Sequence, residues 1–341
     1  MTVLLAATLL ALTASTVEAP PSITNAKVEI RAGESPPAAL ARAKSGASGT
    51  WIGWSVAAIA EARDVCCFSD DFKQRGCSLA SRDNGWGTSD RSPAAPAGEM
   101  LVLVETKDGA PKRVKIVSTT CQVDGAGRTL VWLGPVDAAA SLAALESLLG
   151  ERLENASEPA LAAIAYHRDA RADAILEKRV LDPSLPLEER EHAVFWAGEA
   201  RGEAGFKLID RVLSQEPDPG LRQHAVFALS QSAVPEAPER IKRVAIDDRD
   251  AEVRGHAYFS LSQTQAKGAG AWIVGRLDAE KNDHVRDQAI FALSQLHDGT
   301  DWLLAVLRAK KDPASVRHAL FWLGQSDDPR ALEEIEKILE K

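Results

Sequence analysis

The second half of the chain repeats one pattern of apolar and polar residues. An eleven-residue phrase occupies Leu221–Gln231, Val253–Gln263 and Val285–Gln295, and looser copies occupy 190–198 and 317–325. Every copy has an alanine at the same place, and these column alanines are Ala193, Ala225, Ala257, Ala289 and Ala319. Three successive steps are 32 residues long (225 − 193, 257 − 225 and 289 − 257), and the last is 319 − 289 = 30. A fixed period of this size predicts a solenoid, in which each unit buries its apolar face against its neighbours.

Each repeat unit is predicted to be a pair of helices. The first helix begins after an acid or amide that can accept hydrogen bonds from its free amides, and these residues are Asp218, Asp250, Asn282 and Asp312. Val253, Ala257 and Leu261 lie four residues apart and predict an apolar stripe on this helix. The second helix is more amphipathic, as in Phe206–Leu213 and Trp302–Leu307. The breadth of the apolar arc on the first helix indicates neighbours on several sides.

Further helices are predicted before the clear repeats. Asp137–Leu149, Leu161–His167 and Ala172–Leu181 have helical patterns but carry little of the phrase. Terminal repeats are usually atypical, because one of their faces meets something other than a sibling. We therefore interpret 136–182 as degenerate capping helices against the N-terminal part. The predicted solenoid spans 136–341, with clear repeats from about residue 184.

The N-terminal part shows strand patterns instead. Met100–Glu105 and Arg113–Ser118 flank Asp108–Gly109, and Asp-Gly between apolar runs is a strong hairpin signal. The other predicted strands are Ala26–Ile30, Trp51–Val56 and Thr129–Leu133. The rest of 20–49 is predicted to be a linker or loop, and 66–87 a long polar loop. Residues 20–135 are thus predicted to form a small antiparallel β domain, so the fold class is α+β and mostly α.

Composition and charge narrow the partner classes. The chain has 341 residues with 45% hydrophobic and 26% charged residues, which suits about two soluble domains. Its formal net charge is −9. An acidic chain lacks the field that attracts phosphate backbones, so nucleic acid is not expected as a partner.

The first residues favour export. Met1–Ala19 contains an apolar run and ends in Val17-Glu18-Ala19, with small residues at the two positions that a signal peptidase reads. We predict a secretory signal peptide at 1–19, although no positive residue precedes the apolar run, and a frayed apolar N-terminus is the alternative. No other segment approaches the length of a membrane span. The expected location is periplasmic or secreted, without a stable membrane span after signal removal.

Four cysteines lie in the N-terminal part and none in the repeats: Cys66, Cys67, Cys77 and Cys121. An even number in one small domain of an exported protein predicts two disulfides. A bridge between the adjacent Cys66 and Cys67 needs a strained ring, so each is expected to pair with Cys77 or Cys121. A zinc site is the alternative, but the two Cys-x-x-Cys knuckles common in structural zinc sites are missing.

The repeats resemble the HEAT family, specifically the bacterial phycobilisome lyase HEAT-like type. The matching element is Asp-Pro-x-Leu/Val-Arg-x-x-Ala-x-x-Ala-Leu, seen at 218–229 and, with Ala251 and Ser260 in place of the proline and the second alanine, at 250–261, together with the inter-helix turn at 324–332. The resemblance covers roughly 156–341 and implies stacked antiparallel helix pairs. The layout is similar to bacterial exported proteins with a cysteine-bearing N-terminal part and a C-terminal HEAT array, and this resemblance implies no particular activity.

Histidines occupy one column of the repeats, and these residues are His192, His224, His256 and His318, with Gln288 in the fifth place. Stacked helices lie about 8–10 Å apart, whereas ligands of one metal lie about 2 Å from it, so we predict structural histidines and no metal or cofactor. Deoxyhypusine hydroxylase, an enzyme with HEAT-like repeats, binds iron through His-Glu pairs. Here alanine follows every column histidine, so that activity is not implied.

The candidate partner-binding residues are a glutamine column and two tryptophans: Gln231, Gln263, Gln295, Gln325, Trp196 and Trp322. The glutamines either satisfy carbonyls of the last helical turn or form a polar ladder on a binding face. The tryptophans either anchor a partner or fill space beside atypical end units. No catalytic constellation stands out, so we predict a non-enzymatic scaffold that binds a protein or peptide. The alternatives are a lyase or metal-dependent oxidoreductase, or a β domain that carries the function with the solenoid as spacer.

Overall fold

The chain divides into two compact units. The computed structural model describes residues 20, 22–43, 49–59, 64–67, 75–81, 86–89, 98–150, 158–309, 312–326 and 328–333. The first unit comprises Met1–Ala57, Arg63–Ala144 and Arg152–Asn155, and the second comprises Ala58–Ala62, Leu145–Glu151 and Ala156–Lys341. The predicted signal peptide at 1–19 lies outside the described residues.

A five-stranded mixed sheet forms the centre of the first unit. The strands are β1 Ile23–Thr24, β2 Lys27–Ile30, β3 Thr50–Ala57, β4 Asp64–Cys67, β5 Cys77–Ser78, β6 Trp86–Ser89, β7 Glu99–Lys107, β8 Ala110–Ser118, β9 Val123–Asp124 and β10 Thr129–Pro135. The central sheet has the order β2-β10-β3-β7-β8. Strand β7 pairs antiparallel with β3 and β8, whereas β10 pairs parallel with β2 and β3. Smaller sheets join β1, β9 and β5, and β4 with β6.

The predicted hairpin is confirmed, and three details of the N-terminal prediction are wrong. Asp108 and Gly109 turn the chain between β7 and β8 with φ of 53° and 75°, values that short hairpin turns require. The sheet is mixed because β10 enters it beside β2 and β3, and local sequence does not encode such distant pairing. Strands β4, β5 and β6 occupy part of the predicted loop 66–87. The predicted linker contains helix α1, Pro36–Ala43, whose first prolines need no amide partner.

The four cysteines lie inside the first unit at disulfide distance, as predicted. Cys66 pairs with Cys121 at an S–S distance of 2.00 Å, and Cys67 pairs with Cys77 at 2.08 Å. Among the described residues, the sulfurs of Cys66, Cys77 and Cys121 form the one group close enough to hold a metal ion. All three of these sulfurs belong to the two bridges. The bridges pack in one buried cluster with Trp51 of β3 and other apolar side chains of the sheet.

The rest of the described chain is helical. The helices after α1 are α2 Ala138–Leu148, α3 Glu158–Tyr166, α4 Arg171–Leu181, α5 Leu187–Ala200, α6 Gly202–Gln215, α7 Pro219–Ser230, α8 Ala237–Asp247, α9 Ala251–Gln263, α10 Ala269–Arg276, α11 Asp283–Ser294, α12 Gly299–Ala309 and α13 Pro313–Gly324. The odd-numbered helices from α5 to α13 carry the phrase, and we call them the first helices. Each first helix packs against the next. Among the described residues, no helix combines the length and apolar character needed to cross a membrane.

Small residues allow the first helices to approach closely. All five column alanines are at most 1% exposed. Beside them, a Cβ atom added to Gly198 of α5 would lie 2.5 Å from the carbonyl oxygen of Ala228 in α7. Real Cβ atoms do not approach oxygen so closely, so a side chain at this position would push the two helices apart. The repeat phrase therefore fixes the helix spacing through its smallest residues.

The four predicted capping residues begin the first helices as expected. Each accepts at least one hydrogen bond from a backbone amide of its own first turn, and the four are Asp218, Asp250, Asn282 and Asp312. The distance from the Gly220 nitrogen to Asp218 Oδ1, for example, is 2.7 Å. A cap of this kind stabilises a helix by about 1 kcal/mol.

An arginine ladder also ties each unit to the next. The arginine three residues before each of the first four column alanines meets an acid 26 residues later, in the pairs Arg190–Glu216 at 2.5 Å, Arg222–Asp248 at 3.0 Å, Arg254–Glu280 at 3.7 Å and Arg286–Asp312 at 3.5 Å. Arg222 and Asp248 form the most enclosed pair, with side chains 3% and 7% exposed. The arginines also donate to backbone carbonyls, as Arg222 does to Glu216 and Pro217 at 3.0 and 2.9 Å. Carbonyls in the loop between units are thereby satisfied.

One histidine outside the repeat column is fully buried. His167 follows α3, and its Nδ1 lies 2.6 Å from the carbonyl oxygen of Ala163. Burial lowers its pKa to about 4, and the hydrogen bond to Ala163 offsets only part of that effect. The imidazole is therefore neutral in the folded chain at neutral pH.

We expect this buried histidine to make folding sensitive to acid. Between pH about 6.5 and about 4 the unfolded chain binds a proton at His167 that the folded chain does not, so stability is full above this window and falls as pH drops through it. The loss should reach up to about 3 kcal/mol. Urea unfolding at pH 7 and at pH 4.5 should show a smaller pH difference for His167→Gln than for the natural chain. Equal differences in both proteins would contradict the expectation.

Candidate interaction face on the first helices

Three positions of every first helix lie on one side of it. They lie one residue before, two residues after and six residues after the column alanine. The intervals between them are three and four residues, which places them in one stripe along the helix. We call these residues the first-helix face: His192, Phe195, Glu199, His224, Phe227, Gln231, His256, Phe259, Gln263, Gln288, Phe291, Gln295, His318, Phe321 and Gln325. Since the helices stack side by side, the stripes form rows across the stack.

The middle row consists of phenylalanine in all five helices. Phe195 and Phe227 stack with ring centroids 6.2 Å apart and 15° between planes, and Phe259 and Phe291 do so at 5.9 Å and 6°. The imidazole of His256 lies between these two pairs, 6.4 Å from Phe227 and 5.7 Å from Phe259. Most of these phenylalanines are half-buried. They present a continuous line of rings to solvent.

The line of rings ends in a cleft between α11 and α13. Phe291 and Trp322 lie 4.7 Å apart, and Phe321 meets Trp322 edge to face at 5.0 Å. Phe321 is 58% exposed, the second most exposed large apolar residue of the described chain. The cleft has a volume of about 630 Å³, and its lining residues are His284, Asp287, Gln288, Phe291, Arg317, His318, Phe321 and Trp322. A space of this size accepts a large side chain or a small ligand.

Carboxylates of one first helix meet histidines of the next. The three pairs are Glu191–His224 at 3.4 Å, Glu252–His284 at 3.1 Å and Asp287–His318 at 3.0 Å. Each joins neighbouring first helices along the edge of the phenylalanine row. His256 differs, because burial first and the charge of His224 second lower its pKa. Its imidazole is therefore held neutral among the rings of Phe227 and Phe259.

The glutamine column lies where the first helices end. Three of its amides donate to the serine before them, in the pairs Gln231–Ser230 at 2.9 Å, Gln263–Ser262 at 3.5 Å and Gln295–Ser294 at 3.0 Å. Each of these serine hydroxyls donates to a phenylalanine carbonyl three residues earlier at 2.7 Å. The serines rather than the glutamines thus satisfy these carbonyls. Gln263, Gln295 and Gln325 are exposed.

The two candidate tryptophans have different surroundings. Trp196 is 3% exposed and packs against Tyr166 at 5.9 Å and Phe195 at 5.1 Å. Trp322 is half-buried and lines the cleft. The structure therefore brings Trp322 and the glutamines to one surface and places Trp196 beneath it.

Sequence reasoning did not single out the phenylalanine row. The signal was present, because phenylalanine stands two residues after the column alanine in every copy, and three residues after the column histidine or Gln288. A residue so regular is usually interpreted as core. However, the phenylalanines share one side of each first helix with histidines and glutamines, and a mixed side of this kind is predicted to face solvent.

The stacked helix pairs define the second unit as a helical-repeat solenoid. Residues 206–294 of this unit match the HEAT-repeat family model, so the C-terminal part of the chain contains HEAT repeats. No curated protein matches this sequence. Among solved structures, the Escherichia coli protein YibA is similar at 18% identity and TM-score 0.35, covering 48% of this chain and 62% of its own. This chain thus spans less than two thirds of YibA.

Two enzymes are also among the similar structures. Human deoxyhypusine hydroxylase, solved with glycerol, is 17% identical over 55% of this chain and 73% of its own, with a TM-score of 0.29. Legionella pneumophila aminopeptidase A, solved with aspartic acid, is 11% identical over 86% of this chain and 37% of its own, also with a TM-score of 0.29. Similarity at these identities and TM-scores does not indicate an activity.

Proposed function

We propose that this chain is a non-enzymatic scaffold that binds a protein or peptide partner through the first-helix face. The observation that carries the proposal is the line of rings that the phenylalanines, His256 and Trp322 form across the five first helices. Soluble proteins rarely leave a contiguous apolar surface without a use. Aromatic residues, phenylalanine among them, are enriched at protein interfaces, so a row of them suits an elongated partner segment.

The polar rows beside the rings support the same function. A partner segment must satisfy its own backbone groups when it leaves water. An amide side chain offers both donors and an acceptor for them, and Gln263, Gln295 and Gln325 stand exposed at one edge of the ring line. Apolar rings flanked by amides resemble the general make-up of protein interfaces, with an apolar centre and a polar rim.

The scaffold is proposed to act in the cell envelope or outside the cell. Two cysteine pairs at disulfide distance lie in the first unit, and disulfides persist in oxidising compartments. The apolar run predicted as a signal at 1–19 agrees with this location. The formal net charge of −9 disfavours nucleic acid as the partner.

Two exposed apolar residues provide a matched test. Phe321 belongs to the first-helix face, whereas Ile246 is 43% exposed on helix α8, outside it. Phe321→Ser should lower the recovery of a partner from an envelope extract at least tenfold, because the ring forms one wall of the cleft. Ile246→Ser should recover the partner as the natural chain does.

Unchanged unfolding midpoints for both variants would show that the comparison reports binding rather than folding. Equal recovery by the natural chain and Phe321→Ser would contradict the proposal. So would a partner lost only with Ile246→Ser.

A further inference from the structure

We infer that the partner segment is basic as well as apolar, with lysine or arginine side chains interleaved among aromatic or aliphatic ones. The inference deepens the proposed function and rests on it, because it assigns the chemistry of the partner that the first-helix face takes. Two features carry it: the charge along the edge of the ring line, and the distance of that charge from the rings.

The edge of the ring line is acidic. Among the described residues of the first helices, the charged side chains that border the rings on this edge are Glu188, Glu191, Glu252, Asp287 and Arg317. Four carboxylates against one guanidinium give a net charge of 1 − 4 = −3, with the histidines left out of the count. The side chain of Glu252 is 65% exposed and that of Asp287 is 32% exposed. An approaching segment therefore meets negative potential beside apolar surface.

Helix capping does not account for all of this charge. Glu188 and Glu252 lie in the first turns of α5 and α9, where the helix dipole favours a carboxylate in any protein. Glu191 and Asp287 are the fifth residues of α5 and α11, beyond the first turn. The dipole gives no reason for acids there, and a cationic partner adds one to their contacts with His224 and His318.

The histidines leave these carboxylates able to bind. His224 and His318 each approach one oxygen of Glu191 and Asp287, respectively. A carboxylate accepts about four hydrogen bonds through two oxygens, so one imidazole takes a minor share.

The spacing suits a long cationic side chain. Glu191 precedes Phe195 by four residues, and Asp287 precedes Phe291 by four, which is about 6 Å along a helix. A lysine or arginine stem lying across a ring can place its charged end at the carboxylate one turn away. The ring faces themselves attract cations, so both parts of the site favour the same partner group. Arg317 at the far end of the face marks where a partner carboxylate fits better.

The test selects peptides without assuming their sequence. Random twelve-residue peptides displayed on phage are selected on the full chain, with counter-selection on the variant Phe259→Ser/Phe321→Ser so that only face-dependent binders remain. We expect the surviving peptides to be enriched in lysine or arginine and in aromatic or aliphatic residues, with net positive charge. One such peptide is then synthesised and titrated by fluorescence anisotropy.

Charge variants of the chain complete the test. Glu191→Gln/Asp287→Gln should weaken the synthesised peptide at least fivefold and reduce the salt dependence of its binding. The matched control is Glu239→Gln, which removes a 71%-exposed carboxylate on α8, away from the face, and should leave affinity unchanged. A synthetic copy with glutamine in place of its lysines and arginines should lose affinity and no longer distinguish the natural chain from the Glu191→Gln/Asp287→Gln variant.

The outcomes separate the two claims. Face-dependent peptides that are neutral or acidic, or that bind the Glu191→Gln/Asp287→Gln variant as tightly as the natural chain, would overturn the basic partner and leave the binding face standing. Selection that yields no peptide dependent on Phe259 and Phe321 would overturn the proposed function together with this inference.

Discussion

Replacing Arg222 with alanine should lower the free energy of unfolding by about 3–5 kcal/mol. Its guanidinium donates to both oxygens of Asp248 at 3.0 Å and to the carbonyls of Glu216 and Pro217. The side chain of Arg222 is only 3% exposed and that of Asp248 is 7% exposed. Removing the cation leaves the buried Asp248 carboxylate without its charge partner, and that desolvation cost produces the loss. The two carbonyls still accept from Arg249. Urea unfolding followed by circular dichroism measures the effect.

Arg243 provides the control for this prediction. It lies exposed on α8 in the same repeat unit, so Arg243→Ala should change the free energy of unfolding by less than about 0.5 kcal/mol. Arg222→Met/Asp248→Leu should recover much of the stability, because an apolar pair replaces a buried ion pair at little cost. A loss below about 1 kcal/mol for Arg222→Ala would show that the arginine ladder does not hold successive units together.

Removing the Cys66–Cys121 bridge should cost the first unit about 4 kcal/mol, and removing Cys67–Cys77 about 3 kcal/mol. The difference follows from loop length, since the bridges close loops with sequence separations of 55 and 10 residues. Closing the longer loop removes more conformational freedom from the unfolded chain. Hydrogen exchange at the β7 and β8 amides measures the opening free energy of this unit without interference from the repeats.

Paired serine variants allow the two bridges to be compared directly. Cys66→Ser/Cys121→Ser should lose more protection at these amides than Cys67→Ser/Cys77→Ser does. Mass spectrometry of unreduced peptides should recover the pairs Cys66–Cys121 and Cys67–Cys77 and no others. Equal losses in both variants, or a different pairing, would contradict this account of the first unit.

The solenoid was predictable because its signals are local and repeated. Several copies repeat the column alanine and the capping residue at the same period. Because the copies agree, a chance match in one of them does not mislead the prediction. Asp218 and its equivalents begin helices wherever the period placed them. The hairpin at Asp108–Gly109 was predictable for a related reason, since a two-residue turn fixes its own strands.

Features that depend on distant partners were not predictable in the same way. The parallel pairing of β10 with β2 and β3 joins segments far apart in the chain. The acids of the arginine ladder follow their arginines by 26 residues with the same period as the phrase, yet isolated charges usually indicate a solvated surface. The constant separation between the arginine column and the acid column predicts the ion pairs, and neither column predicts them alone.

The sequence indicated which helices carry the candidate site, but it did not indicate which of their residues reach the surface. The glutamine column and Trp322 do reach one surface, together with a phenylalanine row that the sequence also contained. Trp196 looks equivalent to Trp322 in the phrase but lies beneath the surface, because Tyr166 of α3 packs against it. Position in the stack, rather than position in the repeat, decides which of the two is accessible.

Photo-crosslinking tests the central claim most directly, because it reports where a partner touches the chain. A benzophenone amino acid placed at Phe321 on the first-helix face and, in a second protein, at Ile246 on α8 compares two exposed apolar positions. If the first-helix face is the binding surface, illumination in an envelope extract yields a discrete partner adduct from position 321 and none from position 246. An adduct from position 246 alone, or the same adduct from both positions, would contradict it.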